Sequence, residues 1–292
     1  MTQPSAEKTW TILELLRWTT EHFAKQGIDT ARLDAECLLA HALGVDRLRL
    51  YVDFDKPLAP GERSGFRELV RRRADQRVPV AQLVGRKEFW SLPLLVTPDV
   101  LTPRPETETL IEAALELAPQ RDAELQILDI GTGSGAVALA LASERPKARV
   151  TATDVSRAAL AVARQNAERL ELSGRVRFLE GSLFEPVAGE RFDLVVSNPP
   201  YLTNDPGASH APELAHEPRE ALFAADQGLA LLRALAQGVA EHLLPGGAAA
   251  FEVSPEQADR VAGWCREAGL LDVAQRRDLG RRVRVVSGRG GS

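Results

Sequence analysis

The chain has 292 residues, of which 44% are hydrophobic, and this length allows one or two globular domains with a buried core. A formal net charge of −5 argues against a broad electrostatic grip on nucleic acid. The apolar runs are far shorter than the roughly 20 residues that cross a membrane, and the first residues lack a secretory signal. We therefore expect a cytoplasmic protein that does not contact membranes or nucleic acid directly.

Two cysteines and five histidines show neither disulfide nor metal-ligand spacing. Cys37 and Cys265 both lie in apolar helical contexts, which predicts that they are core residues. We therefore expect no bound metal.

Residues 1–82 have the periodicity of a small helical domain. Apolar residues recur at helical spacing, and cap or turn residues separate the predicted helices 9–25, 29–43, 47–52 and 61–76. The basic run from Arg71 to Arg73 is typical of a solvated helix face. Because the chemical motifs all lie after Leu101, we expect this domain to be a docking module and not part of the catalytic core.

The segment 83–104 is predicted as a β-hairpin and linker. Phe89 and Trp90 favour a strand, and Pro93 interrupts it. The sequence from Thr102 to Glu108 then opens a helix, with Pro105 in its first turn and acidic side chains where the helix dipole favours them. As a helix start, this segment needs no functional explanation.

Residues 105–292 alternate between strands and helices, which predicts an α/β domain with a Rossmann-like, mostly parallel sheet covered on both faces. Two final strands without a helix between them predict an antiparallel edge. The long polar loop 202–225 is predicted as a lid over a site, and the glycine-rich tail 287–292 as disordered. The predicted strands lie near 126–130, 149–153, 176–179, 192–197, 248–253, 271–275 and 282–287, and the predicted helices near 133–144, 156–170, 226–243 and 256–268.

A glycine-rich loop, Gly-Thr-Gly-Ser-Gly at 131–135, follows the first of these strands. Its glycines allow a tight turn and close approach of a ligand to the free N–H groups of the helix start. Asp154 ends the next strand, 19 residues after Gly135, where a carboxylate can hold two ribose hydroxyls. Because the loop lacks the GxGxxG spacing, we interpret the ligand as a single nucleoside without a pyrophosphate, although spacing alone leaves a nucleotide open.

The sequence Asn198-Pro199-Pro200-Tyr201 follows the apolar run 192–197, at the end of a strand where open α/β sheets place their ligand chemistry. Two successive prolines stiffen the turn and keep the carbonyls of Asn198 and Pro199 out of any following helix. Asn198 adds an amide donor and acceptor, and Tyr201 adds a ring face. The turn therefore suits a planar substrate that carries an NH₂ group.

In this combination and order, the motifs resemble those of the bacterial release-factor glutamine methyltransferases, the HemK/PrmC family, and the resemblance covers nearly the whole chain. It implies an enzyme that uses S-adenosylmethionine to methylate the side-chain amide nitrogen, N5, of the Gln in the Gly-Gly-Gln motif of peptide-chain release factors. The segments that carry it are PVAQLVG at 79–85, LTPRPETE at 101–108, DIGTGSG at 129–135, SNPPY at 197–201 and EPREAL at 217–222.

The resemblance also implies residue roles. It places the methionine part of the cofactor against the glycine loop, the ribose on Asp154 and the adenine against Leu183. It assigns the substrate amide to the proline turn, with Asn198, Pro199 and Tyr201 as the catalytic group. The implied cofactor-binding residues are Gly131, Thr132, Gly133, Ser134, Gly135, Asp154, Leu183 and Asn198, and the implied substrate-binding residues are Asn198, Pro199, Pro200 and Tyr201.

The principal alternative is a DNA adenine or rRNA guanine N-methyltransferase, because a base flipped into the pocket would present the same kind of amino group. The acidic net charge and the lack of a Lys/Arg-rich appended domain count against it. A non-catalytic cofactor-binding scaffold is a third class, but it would have no use for an amide-binding turn beside a cofactor loop. Fold alone does not separate these alternatives.

Overall fold

The computed structural model describes residues 9–203 and 211–291. The chain divides into two units, 1–85 and 86–292, and each is described by itself. Among the described residues, no helix combines the length and the apolarity needed to cross a membrane.

The first unit is helical. Its helix α1 begins at a capping box, in which Thr11 Oγ1 accepts from the Glu14 N–H at 3.3 Å and Glu14 Oε2 accepts from the Thr11 N–H at 3.0 Å. The second helix, α2, ends at Gly44, whose φ of 64° suits the left-handed position after a helix. The apolar faces meet in a core around Phe23 and Leu38. The helices are α1 (Ile12–Lys25), α2 (Ala31–Leu43), α3 (Arg47–Val52), α4 (Pro60–Asp75) and α5 (Val80–Val84).

Three features of this unit differ from the sequence prediction. Helix α5 is not predicted, because five residues are too few to show a helical period. The basic run is not a uniformly solvated face: Arg73 is only 6% exposed, and its Nε donates to Asp34 Oδ2 at 2.7 Å, whereas Arg71 is exposed and pairs with Glu68. Cys37 is only partly buried. The Arg73 guanidinium therefore ties α4 to α2.

The second unit is α/β. Its strands are β1 (Arg86–Phe89), β2 (Leu92–Leu95), β3 (Gln126–Ile130), β4 (Arg149–Asp154), β5 (Val176–Glu180), β6 (Phe192–Ser197), β7 (Leu243–Glu252), β8 (Leu271–Arg277) and β9 (Val283–Arg289). Its helices are α6 (Glu108–Leu117), α7 (Ala136–Glu144), α8 (Arg157–Arg169), α9 (Arg219–Leu222), α10 (Ala225–Gly228), α11 (Ala230–Gly238) and α12 (Ala258–Glu267). Short 3₁₀ turns lie at Pro105–Thr107, Glu185–Val187, Pro212–His216 and Val239–His242.

Seven of the strands form one sheet in the order β5-β4-β3-β6-β7-β9-β8, and β1 and β2 form a separate antiparallel hairpin. Strands β3 to β7 run parallel, whereas β9 pairs antiparallel with both β7 and β8. The predicted Rossmann-like sheet with an antiparallel edge is thus confirmed, as is the helical N-terminal region. Because β4 and β6 flank β3, the strand order reverses there, and open sheets bind ligands at such a switch point.

Alternation along the strands divides the core into two layers. Ile127 and Val196 face a layer that includes α6 and α7, whereas Leu128 and Val195 face a layer that includes α11 and α12. Successive side chains of a strand point to opposite faces, so apolar runs of this kind need cover on both sides. Cys265 of α12 is fully buried in the second layer, as predicted for a core residue.

The continuous helix that the sequence predicts over 226–243 is wrong. Helix α10 ends in three residues with positive φ, namely Asp226 at 52°, Gln227 at 56° and Gly228 at 81°. A Cβ on Gly228 would lie 2.0 Å from the carbonyl oxygen of Tyr201, so the chain passes too close to the proline turn for any side chain. Apolar periodicity does not reveal this break, because a contact distant in sequence accompanies it.

Two segments that the sequence predicts as irregular contain regular structure. The predicted disorder is wrong for 287–289, since β9 continues to Arg289 and pairs with β7, and Ser292 lies outside the described residues. Within 202–225, Leu202 forms a β-bridge with Phe223, and α9 lies between them in sequence. The part of the predicted lid at 204–210 lies outside the described residues.

Candidate active site

The carboxyl ends of β3, β4, β5 and β6 open into one cavity, which is lined by the segments that follow each strand. It contains about 1120 Å³ of space including its open mouth. The structure brings most of the predicted cofactor loop and the predicted acceptor turn to this cavity. The predicted site residues that line it are Gly131, Thr132, Gly133, Ser134, Asp154, Leu183, Asn198, Pro199 and Pro200.

Backbone hydrogen bonds to β4 hold the glycine loop in place. The N–H groups of Gly131 and Thr132 donate to the carbonyl oxygen of Thr153 at 2.8 and 2.9 Å. Gly131 and Gly133 have φ values of 73° and 55°, in the left-handed region that favours glycine. A Cβ on either would meet no protein atom within 4 Å, so a side chain there would project into open space.

Gly135 differs from the other loop glycines because it packs inside the fold. It precedes α7 with a φ of 84°. A Cβ on it would lie 3.1 Å from Leu139 Cδ1 and 3.2 Å from Ala163 Cβ, so glycine allows α7 to approach α8 closely. It is not among the residues that line the described cavity, and its contact with a cofactor stays a prediction.

Asp129 is a cavity residue to which sequence analysis assigned no role. Its Oδ2 accepts from Thr132 Oγ1 at 2.7 Å and from the Ala138 N–H at 3.2 Å. Burial raises the pKa of Asp129 to about 7, although both hydrogen bonds act in the opposite direction. A cationic ligand group nearby would favour the ionised form. An acidic residue inside an otherwise apolar strand was the signal that could have identified it.

Asp154 ends β4 at the wall of the cavity. Its Oδ2 accepts from the Gly133 N–H at 2.8 Å, and its Oδ1 accepts from the Ser156 N–H at 2.9 Å. Burial raises the pKa of Asp154, and these backbone hydrogen bonds oppose the rise. Because a carboxylate has about four acceptor positions, both oxygens keep capacity for ligand hydroxyls.

Part of the cavity wall is apolar. Leu183, with a φ of 48°, follows β5 and lines the cavity together with Val155 and Leu235. A wall of this kind suits an uncharged aromatic ring, because it buries apolar surface without leaving polar groups unpaired.

At the end of β6, Asn198 is fixed by a side chain from another segment. Its Nδ2 donates to Thr107 Oγ1 at 3.1 Å, which leaves Oδ1 as the amide acceptor for a ligand. The preceding residue, Ser197, ties β6 to β3, since its hydroxyl donates to the carbonyl oxygen of Ile130 at 2.7 Å. The acceptor turn is therefore anchored both to the sheet and to the segment before α6.

The segment before α6 is more than a helix start, in contrast to the sequence prediction. Pro103, Arg104 and Thr107 line the cavity. Glu217, which is buried, accepts from the Thr102 N–H at 3.1 Å and forms an ion pair with Arg104. The first of these bonds joins residues 115 positions apart, so no local pattern could have revealed it.

Tyr201 is not among the cavity's lining residues in the described chain. Its hydroxyl donates to Glu252 Oε1 at 3.1 Å, and its carbonyl oxygen accepts from Gln257 Nε2 at 3.0 Å. These bonds fix the last residue of the acceptor turn to residues that do not line the described cavity. A direct catalytic contact by the Tyr201 ring stays a prediction.

Comparison with known proteins agrees with this architecture. A family model for the PrmC N-terminal domain matches residues 14–85, and one for the methyltransferase small domain matches residues 107–227. The release factor glutamine methyltransferase of Geobacter sulfurreducens is 44% identical over 281 residues, which cover 96% of this chain and 97% of the relative. The enzyme of the same name from Xylella fastidiosa (strain Temecula1) is 47% identical over 259 residues, covering 88% and 93%.

A crystal structure of a methyltransferase from Pyrococcus furiosus matches with a TM-score of 0.52 and 21% identity, covering 69% of this chain and 90% of that one. At this identity the likeness shows the fold alone. The Geobacter and Xylella proteins, by contrast, align with this chain over almost their full lengths. The chain therefore belongs to the release factor glutamine methyltransferase family.

Proposed function

We propose that this protein methylates the side-chain amide nitrogen, N5, of the glutamine in the Gly-Gly-Gln motif of peptide-chain release factors, with S-adenosylmethionine as the methyl donor. One observation carries the proposal: the glycine loop, Asp154 and Asn198 line the same cavity. Relatives named for this activity match nearly the whole chain, which supports it.

The chemistry of the cavity fits S-adenosylmethionine. Asp154 offers carboxyl oxygens for ribose hydroxyls, and Asp129 is a buried acid whose charged form an ammonium group would favour. Leu183 and Leu235 offer apolar surface to a base. The bound cofactor supplies an electrophilic methyl group on a sulfonium, and orientation of the acceptor falls to the protein.

An amide nitrogen is a weak nucleophile because its lone pair is delocalised into the carbonyl. Asn198 Oδ1 and the Pro199 carbonyl oxygen would accept the two amide hydrogens, which holds the nitrogen in line with the methyl group and favours a localised lone pair. Orientation of this kind contributes on the order of 7–11 kcal/mol, so a strong base is not required. The proton leaves after transfer, when the nitrogen has become acidic.

We propose further that residues 1–82 dock the release factor, that 83–104 form a hairpin and linker, and that 105–292 carry the catalysis. A Gly-Gly-Gln loop offers little surface, whereas a stable contact generally buries about 1,200–2,000 Å². Exposed apolar side chains on α3 support a docking role, namely Leu48 at 75%, Val52 at 60% and Tyr51 at 54% exposure. Because release factors act in translation, we assign the activity to the cytoplasm.

The test incubates the purified protein with S-adenosylmethionine and intact release factor, followed by mass spectrometry of the peptides. We expect one methyl group on the motif glutamine. A release factor with Glu at that position should not be methylated, because a carboxylate has no hydrogens for the acceptor turn. Methyl transfer to DNA or rRNA with a steep inverse salt dependence, and none to release factor, would contradict the proposal.

A further inference from the structure

Three further side chains, those of Thr107, Tyr201 and Glu252, form hydrogen bonds at the acceptor turn. Asn198 Nδ2 donates to Thr107 Oγ1 at 3.1 Å, and Thr107 is only 4% exposed. Glu252, at the end of β7, is 1% exposed, and its Oε1 accepts from the Tyr201 hydroxyl at 3.1 Å. We call these four residues the Asn198 network: the first residue of the acceptor turn is bonded to Thr107, and the last is bonded to a carboxyl on a neighbouring strand.

Glu252 carries a buried oxygen in need of a donor. Its Oε2 has no hydrogen-bond partner among the described residues. The Thr107 hydroxyl is close enough to the carboxyl to lower its pKa, which makes it the donor available to that oxygen. The other charged groups that act on it are Arg284 on β9, which lowers the pKa, and Glu106 in the turn before α6, which raises it. Burial outweighs these effects and raises the pKa of Glu252 to about 7.

The polarity of the network follows from counting hydrogens. A threonine hydroxyl has one hydrogen to donate. If the Glu252 carboxylate takes it, Thr107 Oγ1 offers only lone pairs to Asn198, so the amide turns its NH₂ group toward Thr107 and its Oδ1 toward the cavity. If Thr107 donated to Asn198 instead, the amide would turn over, and its NH₂ group would meet the NH₂ group of the substrate, donor against donor.

We propose that Glu252 is a positioning residue that acts through Thr107 to keep the acceptor oxygen of Asn198 toward the substrate amide. The inference rests on the proposed function. It adds that a carboxyl outside the residues lining the described cavity sets the polarity of the acceptor turn.

Protonation of Glu252 reverses the network. A protonated carboxyl donates to Thr107, which then donates its own hydrogen to Asn198 Oδ1. Glu252→Gln makes the same change permanent, because Oε1 stays with the Tyr201 hydroxyl and the new NH₂ group donates to Thr107. Wild-type kcat should therefore fall as pH drops below about 7, and this acid limb should be absent from the Glu252→Gln variant.

The first part of the test uses a competitor. Glu252→Gln should lower kcat on intact release factor by about 10²-fold, the loss typical of a missing orienting donor, with unchanged S-adenosylmethionine affinity by calorimetry. Release factor with Glu in place of the motif glutamine should inhibit this variant about tenfold more strongly than it inhibits the wild type, because a carboxylate accepts from the reversed Asn198 amide. If Glu252 had only a structural role, the substitution would lower kcat but would not make the variant bind this competitor more strongly than the wild type does.

The second part uses a matched pair at Thr107. Thr107→Val removes the hydroxyl with little change in shape and should lower kcat as Glu252→Gln does, whereas Thr107→Ser keeps the hydroxyl and should retain most of the activity. In the Asn198→Ala background, Thr107→Val should cause no further loss, since it acts only through Asn198.

The outcomes separate this inference from the proposed function. An active wild type together with a fully active Glu252→Gln variant overturns the positioning role and leaves the function standing, whereas a wild type that does not methylate release factor overturns both. If thermal melting shows that Glu252→Gln does not fold, the Thr107 pair decides. Equal kcat values for Thr107→Val and Thr107→Ser then overturn the inference.

Discussion

The two ends of the cavity hold their ligand groups in different ways. At the end proposed for the cofactor, Asp154 is fixed by the backbone N–H of Gly133 at 2.8 Å. At the acceptor end, Asn198 is fixed by the side chain of Thr107, which lies 91 residues away in sequence. A hydrogen bond from the main chain is kept when neighbouring side chains are replaced. A hydrogen bond between two side chains is lost when either side chain is replaced. The acceptor end should therefore be the more sensitive to single substitutions.

The largest expected effect is that of Asn198→Ala. Turnover on release factor should fall by about 10²–10³-fold, while the affinity for S-adenosylmethionine changes little, because the lost bonds orient the reacting amide. Steady-state kinetics and calorimetry on the same preparation measure both quantities. A variant that keeps more than about a tenth of wild-type turnover would contradict the acceptor role.

Asp154→Ala tests the cofactor end. It should weaken S-adenosylmethionine binding by about 2–3 kcal/mol, or roughly 30- to 150-fold in Kd, the scale of charge-assisted hydrogen bonds. Asp154→Asn is the control, because it keeps one acceptor oxygen and should lose less. An unchanged Kd for Asp154→Ala, measured by calorimetry, would remove this residue from the site and break the comparison.

Asp129, behind the glycine loop, should make stability depend on pH. Its folded pKa of about 7 lies above the ordinary value of 3.8, so its contribution to stability is fully present below about pH 3.8 and is lost as pH rises through about 7. The free energy of unfolding of Asp129→Asn relative to the wild type should therefore rise over this range, by at most about 1.4 kcal/mol per pH unit. Urea unfolding at several pH values measures it, and a flat difference would show that the acid is not perturbed.

The smallest effect is expected outside the cavity, on α3. Leu48→Glu should raise KM for intact release factor by about fivefold, the scale of an ordinary interface contact, and leave a short Gly-Gly-Gln peptide unaffected. Leu279→Glu is the matched control, since Leu279 is a fully exposed leucine in the second unit. Equal KM values for the two variants would argue against docking through α3.

Much of the fold is predictable because its signals are local. The apolar runs 126–130 and 192–197 coincide with β3 and β6. Strand β7, by contrast, begins at Leu243, earlier than the predicted 248. Pro245 and Gly246 are typical of a turn, yet the strand continues through them with a shift in register against β6.

The site residues likewise differ in whether a local sequence signal identifies them. The glycine loop and Asp154 are identifiable because each directly follows its strand. Thr107 and Glu252 lack a local signature, and their roles follow only from contacts with Asn198 and Tyr201. In the segment before α6, the acidic residues are explained by a helix start. The sequence therefore offers no separate reason to place Thr107 at the cavity, which it lines.

Gly228 has a consequence for genetics. Because a Cβ there would lie 2.0 Å from the Tyr201 carbonyl oxygen and 2.8 Å from Gln257 Nε2, even alanine would displace the acceptor turn. A screen for loss of function would thus recover substitutions at this position together with those at Asn198, although Gly228 has no functional group. Anyone redesigning the enzyme for another acceptor would have to leave this glycine in place or rebuild the turn with it.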